Sequence, residues 1–283
     1  MKFFNGFILL FGLIFFVGGK PSGANLSTRE IITHMFDSIK KIKTQRFDLK
    51  STERINGNHF SFAESKIKIN ESPKKIYFHN PKRGVELLWV EGENKGEVVV
   101  RSKSFPMNLD LDPYGSIIRK DQHHTIFDLG FPHIGITIAN TIISAPKEFD
   151  KHFKSAGTII WNHKECYQIV IDYPSYKYIE YIVKKGETVT SIARKLNTSD
   201  YKIRYKNNLS SYFGSIAEGK KLLIPTPYSN KGIFYIEKKT MLPVCVKVYD
   251  EEGLFESYEY SNVQINVPFA ANEFSKNFKE YGF

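Results

Sequence analysis

Three histidines, His123, His124 and His133, sit close together in the sequence with Asp121 and Asp128 beside them. Imidazole and carboxylate groups ligate transition metals, and the same pair performs acid–base chemistry. The spacing suits neither task. Adjacent histidines on a helix diverge, so His123 and His124 are not a ready pair of ligands. Cys166 could serve as a nucleophile with a distant histidine, but its neighbours Gln168 and Asp172 place it on the polar face of a strand. Glu251 and Glu252 are paired acids, yet they lie in a turn. Neither His-Glu-x-x-His nor Gly-x-Ser-x-Gly occurs. No catalytic set, metal site or cofactor is read from these residues, and a non-enzyme is expected.

The elements that would position any site begin with a leader. Lys2 precedes an apolar run from Phe7 to Val17, which is too short to span a bilayer. Gly19, Pro21 and Gly23 break it, and Ser22 and Ala24 suit cleavage after Ala24. Residues 1–24 are therefore expected to be a signal peptide, which exports the chain to the periplasm or cell envelope. Asn25 to Lys43 reads as a helix. Ser27 and Glu30 form a capping box, and Ile31, Ile32, Met35, Phe36, Ile39 and Ile42 make one apolar face. Phe47 to Arg101 reads as an antiparallel meander, with turns at Asn56-Gly57-Asn58, Asn80-Pro81 and Glu91-Gly92-Glu93-Asn94. The apolar parity shifts between Phe60-Ser61-Phe62 and Ile67-Lys68-Ile69, which suggests a bulge.

Asp112-Pro113 can start a helix carrying Tyr114, Ile117 and Ile118. From Pro132 to Pro146 there is no charged residue, and Ile134, Ile138 and Ile142 recur every fourth position. A helix this apolar must be covered, by core or by a ligand. Strands return after Gly157 with a hairpin around Asn162-His163-Lys164. They continue after residue 227 to a clear turn at Asp250-Glu251-Glu252-Gly253.

Between these strands lies Tyr181-Ile182-Val183-Lys184-Lys185-Gly186-Glu187-Thr188-Val189, followed later by Gly219-Lys220-Lys221-Leu222-Leu223-Ile224-Pro225. This stretch resembles the LysM domain, a βααβ module that binds glycans containing N-acetylglucosamine. Gly186 frees the backbone to turn, and Thr188 can cap a helix whose apolar face is Val189, Ile192, Ala193 and Leu196. The resemblance places the sugar groove at Gly186, Glu187, Thr188 and Val189 on one side and Asn207, Asn208 and Leu209 on the other. Backbone groups there would hold the acetamido substituents. Glu187 stands where the family usually has Asp. The loop Ser210 to Ser215 is long, and its Tyr212 or Phe213 could stack on a sugar or plug the groove. The alternative is a module that only packs against its host.

The host pattern, a first helix, a long meander and apolar helices midway, resembles the LolA/LolB lipoprotein carriers. Leu242-Pro243-Val244, Val248-Tyr249-Asp250, Gly253-Leu254-Phe255-Glu256 and Glu280-Tyr281-Gly282-Phe283 also resemble a family of uncharacterised bacterial envelope proteins that often carries the same module. The implied fold is α+β. It is a half-open antiparallel β-barrel with N-terminal and lid helices, plus the inserted module. The divisions are 1–24, 25–180, 181–226 and 227–283. The implied site is an apolar cavity with Trp89, Ile117, Phe127, Ile134 and Ile138 as candidate lining, and a lipid or lipoprotein as ligand. The same residues could equally be filled core.

Charge is concentrated in the module. The chain carries +10, or +8 once Lys2 and Lys20 leave with the leader. Residues 181–226 hold nine Lys/Arg against Glu187, Asp200 and Glu218, so the module alone is +6 and the remainder +2. That suits an acidic polymer or the peptide carboxylates of peptidoglycan. Nucleic acid is a poor partner for an exported chain without a nucleic-acid motif. Cys166 and Cys245 fall on strands expected to flank a third, about 9.6 Å apart, too far for a disulfide. Two free thiols and a monomer are expected. The rival readings are a wall-anchored adaptor without a small ligand and, third, a peptidoglycan-remodelling enzyme.

Overall fold

The computed structural model describes residues 26–55, 57, 59–209 and 213–283. The expected leader lies outside the described residues, as do Asn56 and Asn58 of the first turn and Ser210, Ser211 and Tyr212 of the module loop. Helix α1 (Thr28–Lys40) starts at the expected capping box, with Glu30 N–H donating to Ser27 Oγ and Ser27 N–H to Glu30 Oε2 at 2.9 Å. Then follow β1 (Thr44–Ile55), β2 (His59–Glu71), β3 (Lys74–Asn80), β4 (Val85–Val90), β5 (Val98–Ser102) and β6 (Leu109–Leu111). Three helices come next: α2 (Ser116–Arg119), α3 (Phe131–Ser144) and α4 (Phe149–His152). Strands β7 (Phe153–Trp161) and β8 (Lys164–Asp172) lead to β9 (Lys177–Ile182), α5 (Val189–Leu196), α6 (Asp200–Lys206) and β10 (Lys221–Thr226). The chain ends with β11 (Lys231–Glu237), β12 (Pro243–Asp250) and β13 (Gly253–Ile265).

Eleven strands make one antiparallel sheet in the order β6-β5-β4-β3-β2-β1-β13-β12-β11-β8-β7. The sheet is not closed, because β6 and β7 end it on opposite sides. The chain links those two edges through the segment that carries α2, α3 and α4. The inner face is apolar: Phe47 and Leu49 of β1, Ile67 and Ile69 of β2 and Ile169 of β8 pack with Ile31 and Met35 of α1 and Phe131 and Ile134 of α3. Strands β9 and β10 form a separate two-stranded sheet between β8 and β11, which pair with each other from Lys231 opposite Asp172 onward. The module therefore occupies the connection of a hairpin and has its own core of Val183, Ile192, Ile203, Leu222 and Ile224.

Several local readings change. No register shift separates β1 from β2; they pair without interruption from Ile55–His59 to Thr44–Asn70. Asp112 does not cap a helix. Its Oδ1 accepts Tyr114 N–H at 2.8 Å in a tight turn, and the short α2 begins only after Gly115. Pro225 lies inside β10 and pairs with Tyr178, tolerated because β10 has a single partner strand. Cys166 and Cys245 flank β11 and are free thiols, both buried. Cys166 does not face a polar surface. It packs with Tyr235, Val244 and Cys245 under Trp161 on the outer face. The C-terminal residues cover the outer face of β3–β5, where Tyr281 stacks on Tyr77 at 3.7 Å.

Candidate functional site

A cavity of about 410 Å³ lies between the inner face of the sheet and α3. Its cause is visible along β1 and β2. The inward positions that carry Leu49, Ile67 and Ile69 nearer α1 carry Ser51, Ala63, Ser65 and Ser61 toward the open end. These side chains are too short to reach α3, so the sheet and helix enclose space. Phe60 and Phe62, which suggested a bulge, are simply the outward residues of the same strand, with Phe62 69% exposed. The helix is fixed by Gly130, whose φ of 90° sets the entry and whose missing Cβ leaves room for the Gln45 amide 2.7 Å away. Gln45 Oε1 in turn accepts Phe131 N–H at 3.3 Å.

Of the expected lining, Ile134 and Ile138 form the roof, and Ile117 stands at the opening, 73% exposed. Trp89 and Phe127 lie elsewhere. They meet edge to face at 4.8 Å, and Trp89 Nε1 donates to Gly96 O. The Trp89 side chain is thus part of the packing around β4 and β5.

The cavity has one charged end, which the sequence reading missed. Glu256 Oε2 accepts from His123 Nδ1 at 2.8 Å and His124 Nε2 at 3.2 Å, and its Oε1 accepts from Tyr228 Oη at 2.8 Å. Glu53 accepts from Tyr258 Oη at 2.6 Å and from His123 N–H at 3.2 Å. Burial opposes the charge on Glu256, but the adjacent His124 and His123 hold its carboxyl well below the usual range. Burial works against the His124 cation too, and the Glu256 charge outweighs it, raising the ring to about 9. His133 has the opposite fate: burial and the charge of His124 push it down to about 4. His123 and His124, adjacent in sequence, thus converge on the one Glu256 carboxylate, whereas His133 pairs with Asp128 at 3.5 Å. Among the described residues no three His, Cys, Asp or Glu side chains converge as metal ligands.

In the module, Gly186 takes φ 78° with nothing within 4 Å of where a Cβ would stand. Glu187 closes the turn rather than opening to solvent. Its carboxylate accepts Lys184 N–H at 2.9 Å and Tyr181 Oη at 2.9 Å and pairs with Lys195 at 3.1 Å. The Lys184 N–H, then Lys195 and Tyr181, lower its pKa. Thr188 caps α5 as expected, and Val189 is buried. The second wall approaches at Glu187 O, which accepts Ile216 N–H at 3.0 Å. Asn207 is spent on structure: its side chain bonds Ile203 O, Leu223 O and Leu223 N–H. Asn208 is exposed with φ 56°, and Leu209 packs on the module core. The groove positions with open access are Gly186 and Asn208.

Residues 181–225 match the LysM domain family. Residues 42–180 match a family described as a protein of unknown function, DUF1571. Among curated proteins none matches the chain. Solved structures with a related outline include the lipoprotein LppX of Mycobacterium tuberculosis, at 11% identity over 86% of this chain and 97% of that one, TM-score 0.39. LprF of Mycobacterium bovis has 7% identity over 86% and 96%, TM-score 0.42. A LolA superfamily protein of Nitrosomonas europaea has 8% identity over 89% and 99%, TM-score 0.34.

The LysM module is clamped to the body by buried ion pairs. Asp200 at the start of α6 takes two contacts from Arg119 Nη2 at 2.8 and 2.7 Å, and Thr190 Oγ1 donates to it at 2.8 Å. Asp250 of the body hairpin accepts from Arg54 at 2.6 and 2.7 Å and pairs with Lys202 of α6 at 3.4 Å. Phe213 lies 4.4 Å from the Arg204 guanidinium. Lys202 and Arg204, expected on a basic glycan-facing surface, are instead 3% and 2% exposed at this junction. Body acids neutralise part of the module's charge. On the other flank, Asn197 Nδ2 donates to Thr137 O and Thr141 Oγ1 of α3 at 3.2 Å each. Between α3 and α5 lies a second cavity of about 480 Å³.

Proposed function

We propose that the chain is a non-catalytic, monomeric protein of the cell envelope that binds two things. The LysM module, 181–226, holds peptidoglycan or a related N-acetylglucosamine polymer at the Gly186–Val189 and Asn207–Leu209 edges. The body, 25–180 with 227–283, holds an acyl chain of a lipid or lipoprotein. The observation that carries the second half is the cavity of about 410 Å³ roofed by Ile134 and Ile138, where a filled core would leave no space. Its size falls in the range of small-molecule sites, roughly 300–1,000 Å³. The LysM match supports the first half.

Two measurements test the proposal. Purified sacculi should retain the protein, and Gly186→Trp, which puts a large side chain into an open turn, should lower that retention. Equal retention of both forms would count against glycan binding at this turn. Organic extraction of the purified protein should release lipid detectable by mass spectrometry. No lipid, with no uptake of a fluorescent fatty acid, would leave a wall-anchored adaptor. Release of fragments from labelled peptidoglycan would instead establish a remodelling enzyme.

A further inference from the structure

We propose that the opening of the body cavity docks on the surface of an anionic phospholipid bilayer. This rests on the lipid-holding role proposed for the body and deepens it, by naming the source of the acyl chain. The docking surface is built by two neighbouring connections at one end of the sheet, the β3–β4 turn and the β5–β6 loop. Lys103 N–H donates to Gly84 O at 3.1 Å, which holds the loop beside the turn. Arg101 Nη1 donates to Phe105 O at 2.7 Å and fixes the loop's course. Phe105 and Met107 stand out from this loop, 50% and 64% exposed. Phe105 also lines the cavity, as does the exposed Ile117 of α2, so both are rim residues. Exposed apolar side chains gathered at a cavity mouth mark an interaction site, whereas single ones scattered over a surface do not.

Cations border the same rim. Lys82, Arg83 and Lys103 are exposed, and among the described residues none of them has a carboxylate partner. Arg83 lines the cavity and donates to Ser61 Oγ at 3.1 Å. The methylenes of Lys103 occupy the place that a Gly84 Cβ would take, which lays its stem across the turn that carries Lys82 and Arg83. Asp250 and Glu252, at the same end of the sheet, are paired with Arg54 at 2.6 and 3.5 Å. Binding to a bilayer surface gains from buried apolar area and from attraction between basic side chains and anionic lipids. A neutral bilayer would engage only the apolar side chains, and an acidic soluble partner only the basic ones. An anionic bilayer engages both, and an acyl chain then passes from the leaflet into the cavity without crossing water.

The test is co-sedimentation of the full chain with vesicles of phosphatidylglycerol and, separately, of phosphatidylcholine. The wild type should bind the phosphatidylglycerol vesicles and release them in high salt, with little binding to phosphatidylcholine. Lys82→Gln with Lys103→Gln should weaken that binding about thirtyfold. Met107→Glu should weaken it about tenfold by removing apolar contact and adding a repelled charge. Ile160→Glu, at a position 62% exposed at the opposite end of the sheet, should leave it unchanged. Uptake of a fluorescent fatty acid without vesicles should be the same in the wild type and in these variants, since none of the four positions lines the cavity. Circular dichroism identifies any variant that fails to fold, in which case the other rim variant carries the test. Equal binding to both kinds of vesicle, or binding that neither rim variant weakens, overturns the docking surface. Fatty acid uptake without vesicle binding overturns it too and leaves the lipid-holding body standing. Neither uptake nor vesicle binding overturns both.

Discussion

At the scale of single residues, the charged end of the cavity makes stability depend on pH in a direction that can be worked out. His124 is raised to about 9 in the fold against an ordinary value of about 6.5. Its contribution is complete below about 6.5 and is lost as pH rises through 9. His133 is lowered to about 4, so charging it as pH falls from 6.5 toward 4 works against the fold. Glu256 is depressed, so its contribution stands above the ordinary carboxylate range and is lost as pH falls through its folded value. Urea midpoints should therefore be highest near pH 6.5, and His124→Gln should flatten the decline between 6.5 and 9. A His124→Gln profile parallel to the wild type would show that this ring is not responsible. The Arg119–Asp200 pair has a different signature. With Arg119 1% exposed, Asp200→Ala leaves a buried guanidinium without its counter-charge, and unfolding free energy should drop by about 3–5 kcal/mol. A loss under 1 kcal/mol in urea titrations would mean that water reaches the site.

Among the elements, those whose pattern is local were legible. The capping box at Ser27 and Glu30, the four-residue recurrence of Ile134, Ile138 and Ile142, and the turn at Asp250 to Gly253 each fix an element from neighbours in the chain. The carrier resemblance placed Ile134 and Ile138 over a cavity, but its floor was not legible, because that depends on what lies opposite. Ser61, Ala63 and Ser65 alternate with Phe60 and Phe62, and period-two reading assigns the aromatic residues inward unless the register with β1 is known. The junction was equally hidden, since Arg119 and Asp200 are 81 residues apart and Arg54 and Asp250 are 196 apart. A useful signal was present in the acidic Asp250-Glu251-Glu252 turn, set against a module dense in Lys and Arg. The cavity's origin in small side chains yields a prediction about β2. Ala63→Leu points a longer side chain into open space, so it should raise the unfolding free energy by about 1 kcal/mol while displacing bound fatty acid. Loss of stability would show that the space is already occupied by neighbouring side chains.

For the molecule as a whole, the central question is whether module and body behave as two units or one. The module has its own sheet and core, and its host strands β8 and β11 pair without it. Those features alone would permit independent unfolding. The contacts between them argue otherwise. Tyr201 of α6 lies 4.4 Å from His123, Lys202 reaches Asp250, and Arg119 is buried against Asp200. Opening this junction would separate four charged side chains, Arg119, Asp200, Lys202 and Asp250, that are each under a tenth exposed, together with the ring contact of Tyr201 on His123. The full chain should therefore unfold in one transition. Both tryptophans, Trp89 and Trp161, lie in the body, so their fluorescence reports the body alone, whereas far-ultraviolet circular dichroism also includes α5 and α6. The two signals should coincide in urea for the wild type. Replacing Arg119 and Lys202 together by Met keeps bulk but removes the clamp, and the circular dichroism midpoint should then fall below the fluorescence midpoint as the module melts first. Separate transitions in the wild type would show that the ion pairs merely decorate a flexible tether, and the module would then be free to turn on the body while it holds the wall.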